Sequence, residues 1–253
     1  MRYRKDNNKN PFFHVKNKII ANDFPDIADA LENPNGLLAI GGNLNEARLL
    51  SAYKKGIFPW YNEGEPIMWW SPNPRCILKP KKIHVSRSLK KCLRKKEFQI
   101  TFNKNFTDVI NQCSLRKKKT SSSITSNDTW ITAEIKNAFI NLHKLGYAHS
   151  VECWFNKQLV GGLYGIAMGK IFFGESMFSL VPNASKISLV YLAKCLQEMK
   201  FQLIDCQVKS DHLLTLGAKL IRRKKFSKIL DNHCDYNKTV LRYKKNENNY
   251  ETS

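Results

Sequence analysis

The sequence predicts an α+β fold made of two domains. Over residues 131–218 the predicted order is helix, three-stranded meander, helix, strand and helix, so strands and helices are grouped rather than strictly alternating. The stretch from Pro25 to Pro72 has a different pattern. It is rich in turn-forming prolines and glycines and contains only one predicted helix. We therefore divide the chain into an N-terminal arm with a small domain, residues 1–73, and a larger domain with a basic tail, residues 74–253.

The N-terminal region contains one predicted helix after a basic arm. Residues 1–18 are polar and basic and predict a loose arm. A helix is predicted between Asn43 and Gly56, because apolar residues recur there at helical spacing and Asn43 or Asn45 can cap its start. Gly56 then ends the helix.

The larger domain contains helices and strands in a mixed order. Its first predicted elements, from residue 75, are a strand, a short basic helix capped by Ser86 or Ser88, a strand at 98–102, a helix from Phe106 to Cys113 and a polar loop at 114–128. The later ones are a helix at 131–147, strands at 148–155, 158–168 and 170–179, a helix capped by Asn183, a strand at 201–208 and a short helix ended by Gly217. The tail after Phe226 is basic and weakly patterned.

Composition excludes several classes of protein. Of the 253 residues, 42% are hydrophobic and 25% charged, as in ordinary globular domains. No apolar run is long enough to span a bilayer, and the N-terminus lacks the apolar core of a secretory signal. Seven scattered cysteines, never in a Cys-x-x-Cys arrangement, argue against a disulfide framework or a zinc ribbon. We therefore expect a cytoplasmic protein with no membrane association.

The net charge of +21 is the extreme feature of the composition. A basic balance of this size is typical of proteins that bind a polyanion such as a nucleic acid. However, the 32 Lys against 10 Arg also fit the codon bias of an AT-rich genome. Charge alone therefore leaves both interpretations open.

The predicted strand FQLIDCQV carries the sharpest local signal. Alternation along the strand places Asp205 and Gln207 on one face and Ile204 on the other. The carboxylate and the amide can then share a hydrogen bond or bind a common substrate group, and we expect this pair to face a cleft and to support little of the core. A satisfied polar pair at a strand end explains the same spacing.

Two further features have both structural and functional interpretations. Gly174 precedes Glu175 in an apolar strand, which indicates close approach of another group or a glycine bulge with an edge carboxylate. Trp60 lies in a proline-bound stretch and Trp130 follows the polar loop. Such tryptophans either fill the core or provide stacking platforms for unpaired bases.

Several common catalytic motifs are absent from the sequence. There is no GxSxG, HExxH or GxGxxG, and Lys170 is not followed by the Ser or Thr of a phosphate loop. Cys206 could pair with His212 as a nucleophile, but a small buried cysteine is the simpler explanation. The isolated histidines predict no metal site.

Taken together, these segments resemble the leucyl/phenylalanyl-tRNA–protein transferase family. They occur in collinear order over residues 24–226 as PNGLLAIGGNL, RLLSAYKKGIFPWY, PIMWWSPNPR, TWIT, AHSVE, VGGLYG, FFGESMFS, NASK and LIDCQV followed by HLLTLGA. The resemblance implies an enzyme that moves Leu or Phe, sometimes Met, from aminoacyl-tRNA to proteins beginning with Arg or Lys and so marks them for degradation. It also implies a small N-terminal domain packed on an acetyltransferase-like (GNAT-like) α+β domain.

The same resemblance implies roles for individual residues. Asp205 and Gln207 match the catalytic pair, in which Asp205 polarises Gln207 and the amide oxygen holds the attacking amine. Glu175 matches a carboxylate near the acceptor peptide, and Trp60 and Trp130 match aromatic residues around the terminal adenosine. The expected amino-acid pocket is aliphatic and consists of Leu163, Leu189, Leu192, Leu196 and Ile204. Since Ile204 is predicted on the face opposite Asp205, either the strand twists or this assignment of faces is wrong.

The implied chemistry needs no cofactor or metal. An aminoacyl ester is already activated, so the reaction requires two aligned substrates, a neutral amine and donors for the oxyanion. The implied partners are aminoacyl-tRNA and a protein substrate, and we expect a monomer. Two alternatives remain: a CoA-dependent N-acetyltransferase, whose (Q/R)xxGx(G/A) turn is missing, and a non-catalytic RNA-binding module, which explains the charge but not the Asp205 strand.

Overall fold

Seven α-helices and eleven strands occur in the part of the chain that the computed structural model describes, residues 13–15, 24–115, 130–239 and 241. The helices are α1 Glu46–Lys54, α2 Arg87–Arg94, α3 Phe106–Ser114, α4 Ala133–Lys144, α5 Ala184–Glu198, α6 Asp211–Thr215 and α7 Arg223–His233. The strands are β1 Phe13–Val15, β2 Leu37–Gly41, β3 Phe58–Pro59, β4 Met68–Trp70, β5 Arg75–Leu78, β6 Gln99–Phe102, β7 Ala148–Phe155, β8 Gln158–Met168, β9 Ile171–Ser179, β10 Leu203–Gln207 and β11 Lys219–Ile221. Most of the loop predicted at 114–128 lies outside the described residues.

The strands form two mixed sheets. A four-stranded sheet has the order β1-β2-β4-β3, with β1 parallel to β2. A seven-stranded sheet has the order β11-β5-β10-β9-β8-β7-β6, and its neighbours are antiparallel except for the parallel pair β9 and β10. The predicted α+β class is confirmed, and the division into residues 1–73 and 74–253 stays a prediction.

Side-chain caps begin two helices where the sequence predicted them. Asn45 accepts the N–H of Arg48 at 2.9 Å at the start of α1, and Ser86 accepts that of Leu89 at 3.3 Å at the start of α2. Asn183 precedes α5 as expected, but it has a φ of 70° and its side chain makes no capping hydrogen bond. A capping side chain needs an extended backbone, so Asn183 marks the turn without capping the helix.

Two segments contain regular structure that their sequence patterns did not predict. Residues 13–15 of the predicted loose arm form β1, because their backbone pairs with β2. Helix α7 occupies the weakly patterned region, and its fully buried apolar positions are only Phe226 and Leu230, a stripe too sparse to recognise. Phe226 lies against Gly56, where a Cβ would come within 2.8 Å of the ring and a φ of +76° favours glycine.

The hydrophobic core covers both faces of the seven-stranded sheet. Helix α5 packs on one face, and α3 and α4 pack on the other. The core beneath α3 and α4 continues without a break to the four-stranded sheet and α1, through the fully buried side chains of Trp69 and Tyr53. The small N-terminal portion and α7 therefore share one core with the large sheet.

The parallel strands β9 and β10 separate at their carboxyl ends. Their pairing stops at Phe173 and Asp205, although both strands continue. Each strand also has a bulge against its other neighbour at this point. The bulge in β9 is at Glu175, opposite β8, and the bulge in β10 is at Cys206, opposite β5. Such bulges redirect side chains, so the middle of the sheet opens where these two strands end.

No helix within the described residues is both long enough and apolar enough to cross a membrane.

Candidate active site

A cavity of about 280 Å³ lies where β9 and β10 separate. Its apolar wall comes mainly from β8, α5 and β10 and includes Leu163, Phe172, Leu189, Leu192 and Ile204. Its polar edge includes Glu175 and Gln207, which stand on the two bulged strands. The cavity therefore joins an apolar wall to a carboxylate and an amide.

Four of the five predicted pocket residues line this cavity: Leu163, Leu189, Leu192 and Ile204. All four are at most 3% exposed. Leu196 is also fully buried on α5, but it is not part of the cavity wall. Leu196 lies one further turn along α5, so its side chain packs in the core beside the cavity, and its predicted pocket role stays a prediction.

The β10 bulge changes which side chains share a face. Asp205 pairs with Ile77 and Gln207 with Cys76, so Cys206 is an extra residue in the strand. Gln207 has a φ of +59° and lines the cavity together with Ile204, whereas Asp205 does not. The predicted common face for Asp205 and Gln207 is therefore wrong, since strict alternation ends at the bulge.

Asp205 is buried in an ion pair with Arg75 of β5. Arg75 donates from Nε at 2.8 Å and from Nη2 at 2.6 Å to the two carboxylate oxygens, and both side chains are fully buried. The guanidinium also contacts two aromatic rings, with its Cζ 4.8 Å from the centroid of Phe58 and 4.7 Å from that of Phe226. The expectation that Asp205 supports little of the core is wrong.

Asp205 contacts Gln207 through the backbone rather than through the amide side chain. Its Oδ1 accepts the Gln207 backbone N–H at 3.0 Å. The Gln207 side chain instead donates from Nε2 to Oε1 of Glu175 at 2.8 Å. Within the described chain no hydrogen bond reaches the Gln207 amide oxygen, which leaves that oxygen as an acceptor at the cavity edge.

Glu175 is held by donors from two directions. Its Oε1 also accepts the hydroxyl of Tyr53 from α1 at 2.8 Å. Its Oε2 is buried and has no hydrogen-bond partner among the described residues. Burial raises the pKa of Glu175 to about 8 and the charge of Asp205 adds to this, against the opposing effects of Arg75 and of the donors on Tyr53 and Gln207. A carboxyl with a pKa near 8 is largely neutral at pH 7.

Trp60 and Trp130 are not part of the cavity wall. Trp60 is 46% exposed and packs edge-on against Trp70, with ring centroids 5.6 Å apart. Trp130 is half-buried against the core. Tyr61, next to Trp60, donates its hydroxyl to Glu134 in the first turn of α4 at 3.0 Å, so the two tryptophan-bearing segments meet.

Arg75 and Tyr53 contact the two carboxylates of the site, and no pattern in the sequence had predicted either contact. The signal for Arg75 is a single arginine at the head of the otherwise apolar strand RCIL, because a buried arginine requires an anionic partner. Tyr53 has no such signal, since a tyrosine in the apolar stripe of a helix usually packs in the core. Among the described residues no group of three or more His, Cys, Asp or Glu is arranged to hold a metal ion.

Comparison with known proteins assigns the chain to a family. A family model described as leucyl/phenylalanyl-tRNA protein transferase matches residues 77–231, and the model of that transferase's N-terminal domain matches residues 42–73. The leucyl/phenylalanyl-tRNA–protein transferase of Cellvibrio japonicus is 53% identical over 208 residues, which are 82% of this chain and 86% of that protein. The same enzyme of Pseudomonas aeruginosa is 51% identical over 213 residues, 84% of this chain and 92% of that protein.

A solved structure from Staphylococcus epidermidis, of a conserved protein described as functionally unknown, is a much weaker match. It covers 74% of this chain and 68% of its own at 14% identity, with a TM-score of 0.40. A likeness at that level does not establish a shared fold.

A cavity that joins an apolar wall to an amide and a carboxylate is suited to an enzyme that transfers an acyl group between two bound substrates. The matches specify the class as aminoacyl-tRNA–protein transferases, which act on an aminoacyl-tRNA and a protein. Within that class, the chain belongs to the leucyl/phenylalanyl-tRNA–protein transferase family.

Proposed function

We propose that this enzyme moves Leu or Phe, and to some extent Met, from aminoacyl-tRNA to the α-amine of proteins that begin with Arg or Lys, and so tags them for degradation. The observation that carries the proposal is the position of the apolar cavity directly beside the Gln207 amide and the Glu175 carboxylate. The cavity supplies a site for an apolar side chain, and its polar edge supplies the groups that an incoming amine needs.

The donor amino acid places its side chain against the aliphatic wall. An apolar cavity selects by size and excludes charge, since each methylene changes the transition-state free energy by only about 1–3 kcal/mol whereas an unpaired buried charge costs far more. Leu, Phe and Met therefore overlap as donors, and Asp does not. The ester then lies at the opening between β9 and β10, next to Gln207.

Gln207 orients the attacking amine. Its Nε2 is engaged by Glu175, so its amide oxygen faces away from Glu175 and can accept an N–H of the acceptor's α-amine. A neutral amide is a very weak base, so Gln207 positions the amine rather than removing its proton. An α-amine has a pKa of about 7.7–8.0, so a sufficient fraction is already neutral near pH 7. Asp205 acts on Gln207 by holding its backbone.

Glu175 pairs with the cationic side chain at the start of the acceptor protein. Its unpartnered Oε2 offers an acceptor to an incoming cation, which lowers the pKa of the carboxyl and ionises it on binding. Arg and Lys satisfy this requirement, and an uncharged first residue leaves Oε2 without a partner.

The tRNA is bound outside the cavity. Trp60 and Trp130 stack on the terminal adenosine, for which the exposed ring of Trp60 is suited, and the excess of Lys and Arg contacts the phosphate backbone. We also propose that the larger domain is acetyltransferase-like (GNAT-like), with the separated parallel strands receiving the acyl group.

A transfer assay tests the proposal. The enzyme is incubated with leucyl-tRNA and an Arg-starting peptide, and the mass of the peptide is measured by mass spectrometry. We expect the peptide to gain one leucine residue, with little product from aspartyl-tRNA or from an Ala-starting peptide. Acetylation from acetyl-CoA, or tight tRNA binding without transfer, would instead support one of the two alternative functions and contradict the proposal.

A further inference from the structure

Arg75 is a fully buried cation at the centre of the polar contacts behind the cavity. It begins β5, and its guanidinium clamps both oxygens of Asp205 from Nε and Nη2. The guanidinium Cζ also lies over the rings of Phe58 and Phe226, 4.8 and 4.7 Å from their centroids. The position of the Asp205 carboxylate is therefore set by two hydrogen bonds from a fully buried guanidinium.

The clamped carboxylate in turn holds the backbone of Gln207. Oδ1 of Asp205 accepts the Gln207 N–H at 3.0 Å, and Gln207 has a φ of +59°. A left-handed backbone is unfavourable for a residue other than glycine, so surrounding contacts have to maintain it. The bond to Asp205 is such a contact, and it lies within the bulge itself.

The side chain of Gln207 is fixed at its other end by Glu175. The Nε2 donates to Oε1 of Glu175, which also accepts the Tyr53 hydroxyl. Two anchors thus determine where the amide oxygen points: Asp205 for the backbone and Glu175 for the side-chain nitrogen. Only the first of these depends on Arg75.

We propose that Arg75 is a positioning residue for the transfer reaction, which fixes Gln207 at the cavity edge by clamping Asp205. The proposal rests on the role proposed above for Gln207. Without the clamp, Asp205 is a buried carboxylate with no cation, so it takes up a proton or turns away, and the Gln207 N–H loses its acceptor. Arg75 does not line the cavity, so its loss lowers kcat and leaves the KM of both substrates nearly unchanged.

A purely structural role for Arg75 makes a different prediction. Arg75 also joins β5 to β10 and packs against α7, so its replacement lowers the melting temperature whatever it does for catalysis. If stability were its whole contribution, any variant with the same loss of stability would have the same activity while folded. A matched destabilised variant therefore separates the two roles.

The test compares Arg75→Lys with Leu230→Ala at a temperature at which both variants are folded. Lys retains the charge but cannot donate to both oxygens from a planar fork. Leu230 is 1% exposed on α7 and belongs to the same core, but it makes no hydrogen bond to the Asp205 cluster. We expect Arg75→Lys to lower kcat by about 10–100-fold with each KM within about threefold, because small displacements of a positioning group have effects of this size. Leu230→Ala should keep kcat within about twofold.

Amide hydrogen exchange gives a readout that does not depend on activity. The Gln207 N–H should exchange at least about tenfold faster in Arg75→Lys than in the unaltered enzyme, relative to the rest of β10. In Leu230→Ala its relative rate should not change. If the unaltered enzyme fails to transfer leucine, the proposed function is wrong, and the exchange rates still decide whether Arg75 holds Gln207.

A paired variant keeps the proposal testable if Arg75→Lys does not fold. Arg75→Gln with Asp205→Asn replaces the ion pair by a neutral amide pair, in which an oxygen at position 205 can still accept the Gln207 N–H. We expect the pair to recover at least about tenfold of the kcat that Arg75→Gln alone loses. Full kcat in Arg75→Lys, the same kcat loss in Leu230→Ala, or unchanged exchange at Gln207 would overturn the proposal.

Discussion

The two sides of the cavity are built in different ways. The apolar wall is formed by regular elements, with Leu189 and Leu192 on α5 and Leu163 on β8, and each side chain packs against many others. The polar edge is formed by residues on bulged strands, Glu175 and Gln207, and each depends on a few hydrogen bonds to partners far away in the sequence. Hydrophobic packing therefore fixes the side chains of the apolar wall, whereas individual hydrogen bonds fix those of the polar edge.

Because the two sides are stabilised differently, substitutions in the wall and at the edge should alter different properties of the enzyme. Hydrophobic packing tolerates changes of size, so substitutions in the wall should shift the choice of amino acid and leave the chemistry intact. A hydrogen-bonded cluster tolerates the loss of a partner poorly, because the remaining partner is then buried and unsatisfied. Substitutions at the edge should therefore stop the reaction or unfold the protein.

The largest expected effects come from Gln207, which lies at the polar edge, and from Asp205, which holds the Gln207 backbone. Gln207→Ala and Asp205→Ala should each lower the transfer rate by about 10²–10⁴-fold, the usual range for one group that handles the reacting proton or positions the amine. Their effects on stability should differ. Asp205→Ala leaves Arg75 as a buried unpaired cation and should lower the free energy of unfolding by about 3–5 kcal/mol.

Gln207→Ala provides the matched control, because it keeps the backbone N–H that Asp205 accepts. It removes one side-chain hydrogen bond and should lower the free energy of unfolding by about 0.5–1.5 kcal/mol. Urea unfolding and transfer rates on the same two proteins check both effects. Equal losses of stability would show that Asp205 and Gln207 act as one polar pair, as simple strand alternation suggested.

Substitutions in the apolar wall should change the preference between donor amino acids, by a smaller factor than the loss of transfer rate expected at Asp205 and Gln207. Leu189→Ala enlarges the cavity and should raise the ratio of Phe transfer to Leu transfer by about tenfold, since a few methylenes account for about 1–3 kcal/mol of discrimination. Competition between the two charged tRNAs measures this ratio directly.

Leu196→Ala is the control for that experiment. Leu196 is as buried as Leu189 on the same helix but lies outside the cavity wall, so its loss should cost stability and leave the ratio unchanged. A similar change of ratio in both variants would show that helix packing, rather than the cavity wall, sets the preference.

The smallest expected effect concerns the pH dependence of Glu175. The folded protein holds its proton up to about pH 8, whereas the unfolded chain releases it near the ordinary value of 4.5. Between these two values the native state binds more protons, so this group's contribution to the free energy of unfolding falls as pH rises. Glu175→Gln should abolish that contribution, and melting temperatures from pH 5 to pH 9 should therefore fall less steeply in the variant.

Acceptor discrimination should follow the same titration. The ratio of kcat/KM for an Arg-starting peptide over a norleucine-starting peptide should rise by a few fold as pH increases towards about 8. Both peptides carry the same α-amine, so the ratio isolates the first side chain. A ratio independent of pH in the unaltered enzyme, or the same rise in Glu175→Gln, would remove Glu175 from acceptor recognition.

Sequence patterns predicted the regular parts of this molecule because local physical chemistry determines them. The Asn45 and Ser86 caps begin their helices as expected, and the aliphatic stripe of α5 supplies Leu189 and Leu192 to the cavity. Helical spacing alone could not separate Leu196 from these two, since all three lie on the same buried stripe of α5. The end of the cavity along that stripe is visible only in the folded structure.

The polar edge could not be predicted in the same way. Alternation placed Gln207 with Asp205, but a single extra residue in β10 reverses the face of Gln207, and the sequence does not mark this bulge by a glycine. Arg75 lies 130 residues from Asp205 in the chain, so their pairing is a consequence of strand order rather than of any local pattern. Helix α7 was not predicted because its apolar stripe is sparse. The residues that it packs against belong to the N-terminal portion, so this contact is also not visible in the local sequence.

The most direct test of the proposed cavity function is a structure of the enzyme with leucyl-adenosine in which an amide replaces the reactive ester. We expect the leucine side chain to occupy the cavity against Leu163, Leu189, Leu192 and Ile204, with the amide carbonyl beside Gln207 and the adenine outside the cavity. An adenine inside the cavity, or a leucine side chain bound elsewhere, would contradict it.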